Sequence, residues 1–163
     1  LSRGILVGYY KSEEHLKWIL GNNDRGSLVY NVRLKLKEDE ARDGAHSAYF
    51  YEKQNIHFVI LYTDGAEETG KYHVFHVKDT ASKVTEERMR NTWYPMETVE
   101  GDDDGAKRNY FFFRFDEEVN IGNIDIGRLL QDMRAEHLKK FQSYVPGEPM
   151  FTTAEKLMEY RGK

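Results

Sequence analysis

The side chains best placed for chemistry in this chain are aromatic rings with polar neighbours. Tyr9, Tyr10, Trp18, Tyr30, Tyr62, Trp93 and Tyr94 fall at or near strand ends and turns, close to Ser12, Asn31, Thr63 and Asp64. Rings so placed can sandwich a flat ligand such as a nucleobase, each stack being worth about 1–3 kcal/mol. The polar groups would then read the edge of the base. The competing reading puts most of these rings in the core or at its margin, where large aromatic residues usually go.

Other chemistries find less support. There are six histidines but no HExxH. His73 and His76, three apart on an extended stretch, point to opposite faces. His57 meets His76 only in one favourable hairpin register, so no metal site is expected. Nucleases of the PD-(D/E)xK type need an acid two positions before a lysine, and no Glu-x-Lys or Asp-x-Lys occurs. The G-x-S-x-G elbow, the dinucleotide fingerprint and the Walker phosphate loop are absent too. With no cysteine, disulfides, thiolate metal sites and cysteine nucleophiles are excluded within this chain. No cofactor is expected. An enzyme stays open only through acids without a motif, such as Asp64 with Glu67 or Glu68.

These groups must be carried by one soluble domain. The 163 residues can bury a real core, and an aromatic content of 13% argues against disorder. No apolar run approaches the roughly 18 residues that span a bilayer. Lys11 follows the first apolar run at once, so no signal peptide is read, and a cytoplasmic setting is expected. The net charge is −4, yet residues 1–37 carry seven cations against three acids. A uniformly basic nucleic-acid coat is excluded; a local basic face is not.

The periodicity supplies the elements. Gly4–Tyr10 reads as a buried strand. Ser12 caps a helix with Glu13 and Glu14 in its first turn, Leu16 and Ile19 on its apolar face, and Gly21 at its end. Asn22–Gly26 is a turn. Ser27–Leu36 alternates as a half-buried strand. Glu38–Ser47 is a polar loop, and Tyr49–Tyr51 is a strand or a turn of helix. Ile56–Asp79 (IHFVILY, TDGAEETG, KYHVFHVKD) is a β-hairpin. Thr85 caps a short helix over 86–91, and Glu97–Lys107 is an acidic loop. Asn109–Phe115 is a strand with Phe111, Phe113 and Phe115 on one face. A helix is expected between Ile124 and about Leu138. Pro146 to Pro149 breaks the chain, and Thr152 with Glu155 forms a capping box for a last helix.

The first strand running into Lys11-Ser12, then YNVR at 30–33, then FVILYTD turning into KYHVFHVKD, resembles the PUA-like superfamily, which includes EVE, YTH, ASCH and SRA-type domains. The TWYP segment is similar to restriction-associated versions. The resemblance covers roughly residues 4–115. It implies an α+β fold, a small, mixed, twisted β-barrel flanked by helices, with residues 116–163 as a helical C-terminal elaboration. It also implies recognition of a modified or flipped base in DNA or RNA, not catalysis. Lys11 and Ser12 would lie at the pocket rim, with Tyr10, Tyr30, Asn31, Tyr62, Thr63, Asp64 and Trp93 as further ligand-binding candidates. Arg25, Arg33, Lys35 and Lys37 would contact phosphates. The partner is then nucleic acid carrying a modified base, within a defence or restriction system that can add further domains, and no membrane is involved. The rivals are a protein-interaction or small-molecule sensing module and the motif-free enzyme.

Overall fold

The computed structural model describes residues 4–20, 28–33, 48–82, 110–141 and 149–162. Among these residues, five helices and six strands run in the order β1 (Ile5–Tyr9), α1 (Glu13–Ile19), β2 (Leu28–Arg33), α2 (Ala48–Gln54), β3 (Phe58–Tyr62), α3 (Ala66–Thr69), β4 (Tyr72–Ser82), β5 (Tyr110–Glu118), α4 (Ile126–Phe141), β6 (Met150–Thr152) and α5 (Ala154–Met158). The loops read at 22–26, 38–47 and 97–107, and the short helix at 86–91, lie outside the described residues. No described helix is long and apolar enough to cross a membrane.

The strands form one mixed sheet in the order β2-β5-β4-β3-β1-β6. Among the described strands only β1 and β3 run parallel, with Tyr9 opposite Tyr62. The hairpin forms as read, with Phe58 opposite His76 and Tyr62 opposite Tyr72. Its connection holds a turn of helix, α3, entered through Gly65 at φ 85°, a conformation that favours glycine. The segment at 49–51 is helical, and Tyr51 is buried.

Alternation gives the sheet two buried faces. The inner face packs Leu6, Val59, Leu61, Phe75, Phe111, Phe113 and Phe115 against Leu16 and Ile19 of α1 and Tyr51 of α2. The outer face packs Val7, Ile60, Tyr62 and Val74 against Ile126, Leu129 and Leu130 of α4 and Leu157 of α5. Each helix contributes one apolar stripe to one face.

The expected barrel is not closed by strand pairing: β2 and β6 are the edges of the described sheet. The reason is that β6 pairs with the free side of β1, Ile5 opposite Thr152, where a closing strand would have to dock. The sheet nevertheless curls strongly. The Tyr30 hydroxyl on β2 donates to the Tyr9 carbonyl at 3.0 Å and accepts from the Tyr9 N–H at 3.1 Å. Three strands separate β2 from β1, and strands lie about 4.8 Å apart, so a flat sheet would hold these residues far beyond a side chain's reach. Gly8 makes room for the ring: an added Cβ would stand 2.7 Å from the Tyr30 hydroxyl oxygen.

Two further readings are corrected. The segment 116–163 is not wholly helical, because it extends β5 to Glu118 and contributes β6. The last helix is capped by Thr153, whose hydroxyl oxygen accepts from the Lys156 N–H at 3.0 Å. Thr152 is instead held in β6 opposite Ile5, so the Thr152–Glu155 capping box does not form.

Candidate functional site

β1 and β3 are adjacent parallel strands whose following segments leave on opposite faces. Leu16 and Ile19 of α1 join the inner core, whereas Ala66 of α3 joins the outer one. In open sheets with parallel strands, such a divergence puts the usual ligand position at the carboxyl ends of the strands. Here the Tyr10 N–H donates to the Tyr62 carbonyl at 2.9 Å, fixing the two strand ends side by side. Lys11 and Ser12 therefore emerge beside Thr63 and Asp64.

The rim is polar and tied together. The Tyr9 hydroxyl donates to Asp64 Oδ2 at 3.0 Å, and its half-buried ring meets Tyr62 edge to face at 5.7 Å. Ser12 Oγ accepts the His15 N–H at 3.2 Å, and His15 Nδ1 accepts the Lys11 N–H at 3.1 Å. Lys71, at the entry to β4, reaches Glu13 Oε1 at 3.4 Å. Lys11 and Asp64 are exposed, and Thr63 is half-buried.

Beneath the rim, the Tyr10 and His73 rings stand edge to face at 6.0 Å. His73 Nδ1 lies 2.8 Å from Glu118 Oε1. The Tyr10 hydroxyl and His73 Nε2 are buried and make no hydrogen bond among the described residues. Burial, and then the Glu13 charge, raise the Tyr10 phenol above its ordinary value, so it stays a neutral donor. A groove of about 370 Å³ is lined by Tyr72, His73, Val74 and the run from Glu118 to Ile121.

The expected residues are thus only partly assembled. Tyr10, Lys11, Ser12, Tyr62, Thr63 and Asp64 converge. The rings of Tyr10, Tyr30 and Tyr62 are at most 4% exposed. They are core, not open stacking platforms, because their side chains fill the two faces of the curled sheet. Asn31 and Arg33 lie in β2, opposite Phe112 and Tyr110, and so not in β1 or β3. Trp93, Arg25, Lys35 and Lys37 lie outside the described residues. Sequence reasoning named the Tyr9 ring but left it out of the ligand-binding set, read Glu13 only as a helix-start acid, weighed His73 only as a metal ligand, and passed over Lys71. Tyr9 had a signal, since strand parity turns it opposite to buried Tyr10.

Histidine parity holds: His73 faces Glu118, and His76 bonds Asp116 at 2.9 Å on the other face. The register sets His76 opposite Phe58, so it does not pair with His57. No group of three or more possible metal ligands occurs among the described residues. Among the acids considered for catalysis, Glu67 is engaged by Arg134, whose guanidinium also lies 5.2 Å from the centre of the Tyr62 ring. Comparison of the chain with protein-family models, curated proteins and solved structures finds no match.

Proposed function

We propose that this domain is a non-enzymatic reader of a modified or flipped nucleobase, which enters at the carboxyl ends of β1 and β3. The observation that carries the reading is the convergence of Lys11, Ser12, Thr63 and Asp64 where two parallel strands diverge to opposite faces. Edge reading, not stacking on Tyr10, Tyr30 and Tyr62, then supplies selectivity. Asp64 accepts from a base amino group, Lys11 and Thr63 donate to ring or carbonyl acceptors, and half-buried Tyr9 offers a ring. A site built to hydrogen-bond a ligand rejects analogues that leave its polar groups unpaired. The strong curl, with Tyr30 strapping β2 to β1, supports the PUA-like barrel reading in a form closed by a side chain. The uneven charge supports a few phosphate contacts.

The test is a fluorescence polarisation titration against oligonucleotides with and without modified bases at two salt concentrations. Preferential binding of one modified oligonucleotide is expected, with a shallow salt slope of roughly −0.9 per phosphate neutralised on duplex DNA. Absence of binding to every oligonucleotide contradicts the reading. Equal affinity for all leaves a nonspecific binder and removes the modified-base claim.

A further inference from the structure

A second concavity, which shares Val74 and Ile121 with the groove beside His73, lies on the outer face towards the amino ends of β1 and β3. This groove of about 340 Å³ is lined by Ile60 and Val74 of the sheet, by Phe58 and Ile121, and by Leu157 and Met158 of α5. Its size falls in the range of small-molecule sites, which are mostly apolar with few polar groups. Met158 is 45% exposed beside buried Leu157.

Among the described residues of the lining, Arg161 is the one that carries a charge. It is exposed, and its Nη2 lies 3.7 Å from Met158 Sδ with no carboxylate partner among the described residues. A guanidinium fork matches a carboxylate in both charge and shape. At another side of the groove, Phe58 packs edge to face on His76 at 5.4 Å, and His76 holds the Asp116 carboxylate. An anion is therefore disfavoured near Phe58 and favoured at Arg161.

We propose that this groove binds a small amphipathic carboxylate, with its hydrocarbon body on Ile60 and Val74 and its carboxylate on Arg161. The site does not depend on the nucleobase reading. The test titrates decanoate, below its micelle-forming concentration, into the full chain by calorimetry, with methyl spectra recorded by NMR. Saturable binding is expected, with shifts centred on Ile60, Val74, Leu157 and Met158. Arg161→Gln should weaken decanoate about tenfold, the loss of one charge-assisted contact, and leave decanol unchanged. Ala154→Phe, at an exposed lining position, should fill the groove and abolish both. The proposal is overturned if decanoate does not saturate, if the shifts fall elsewhere, or if Arg161→Gln binds decanoate as the parent does. It is also overturned if decanoate fails to bind while the chain dimerises through this face, with Ala154→Phe abolishing the dimer in sedimentation velocity.

Discussion

On its inner face the sheet buries Phe75, Phe111, Phe113 and Phe115 with Tyr30 and Tyr51; on its outer face it buries Val7, Ile60, Val74, Leu129 and Leu130. The inner rings are ordered against one another. Phe75 stacks on Phe115 at 4.8 Å, Tyr51 on Phe111 at 5.4 Å, and Phe113 meets Phe111 edge to face at 5.3 Å. The difference follows curvature. The concave face needs large rigid rings to fill its volume, whereas the face covered by α4 is filled mostly by aliphatic side chains of smaller volume, with Tyr62 and Tyr160 as its buried rings. Aromatic pairs add about 0.5–1.5 kcal/mol beyond their buried area. The inner face therefore holds the curl, and the curl brings Tyr30 to Tyr9 at the rim.

The largest test compares one residue from each face. Phe113→Ala should destabilise by about 4–5 kcal/mol and Leu129→Ala by about 2–4 kcal/mol, both within the span known for buried truncations. Urea unfolding measures both. A smaller loss at Phe113 than at Leu129 breaks the comparison.

The strap between the sheet ends comes next. Tyr30→Phe removes a donor to the Tyr9 carbonyl and an acceptor for its N–H, and should cost about 1–3 kcal/mol. Gly8→Ala drives a Cβ against the same phenol and should cost about 1–3 kcal/mol by overpacking. Pairing Gly8→Ala with Tyr30→Leu should cost less than the sum of the two single changes, because the clash is relieved. Strict additivity in denaturant unfolding would show that the ring does not press on Gly8.

The smallest effect lies on the outer surface. The hydrogen bond from His76, above all, holds the Asp116 carboxyl below its usual value. A depressed folded-state value means that this pair favours the fold above the unfolded carboxylate range. That contribution is lost as pH falls through the folded value. His76→Gln should shift the Asp116 titration, followed by NMR, back upward. An unmoved titration would remove His76 as the cause.

Much of this was legible in the sequence, for local reasons. The period of two in NYFFFRF and in the Ile56–Asp79 stretch placed Phe111, Phe113 and Phe115 together and set His73 and His76 on opposite faces. Ser12 before two glutamates announced a cap that forms. The missing parts depend on distant partners. β6 has three residues, too few for any period, and is a strand only because β1 offers it an edge. That pairing also moved the last cap from Thr152 to Thr153. The burial of Tyr10 and Tyr30 follows from the curl of the whole sheet and that of Tyr62 from the packing of α4 on the outer face, and no local pattern encodes either. A tyrosine at a strand end reads the same whether it lines a pocket or plugs one. Six of the candidate residues met in space because β1 and β3 pair in parallel, while Asn31 and Arg33 went with β2.

The most direct measurement is the polarisation titration repeated with Asp64→Asn and Lys11→Ala, using modified and unmodified oligonucleotides. Both side chains are exposed, so both variants should keep the parent's unfolding free energy within about 0.5 kcal/mol. Asp64→Asn should lose about tenfold in affinity for the preferred modified oligonucleotide, the size of one lost hydrogen bond, with less change for the unmodified one. Lys11→Ala should weaken both. Variants that fold and bind every oligonucleotide as the parent does would contradict a ligand site at the β1 and β3 carboxyl ends.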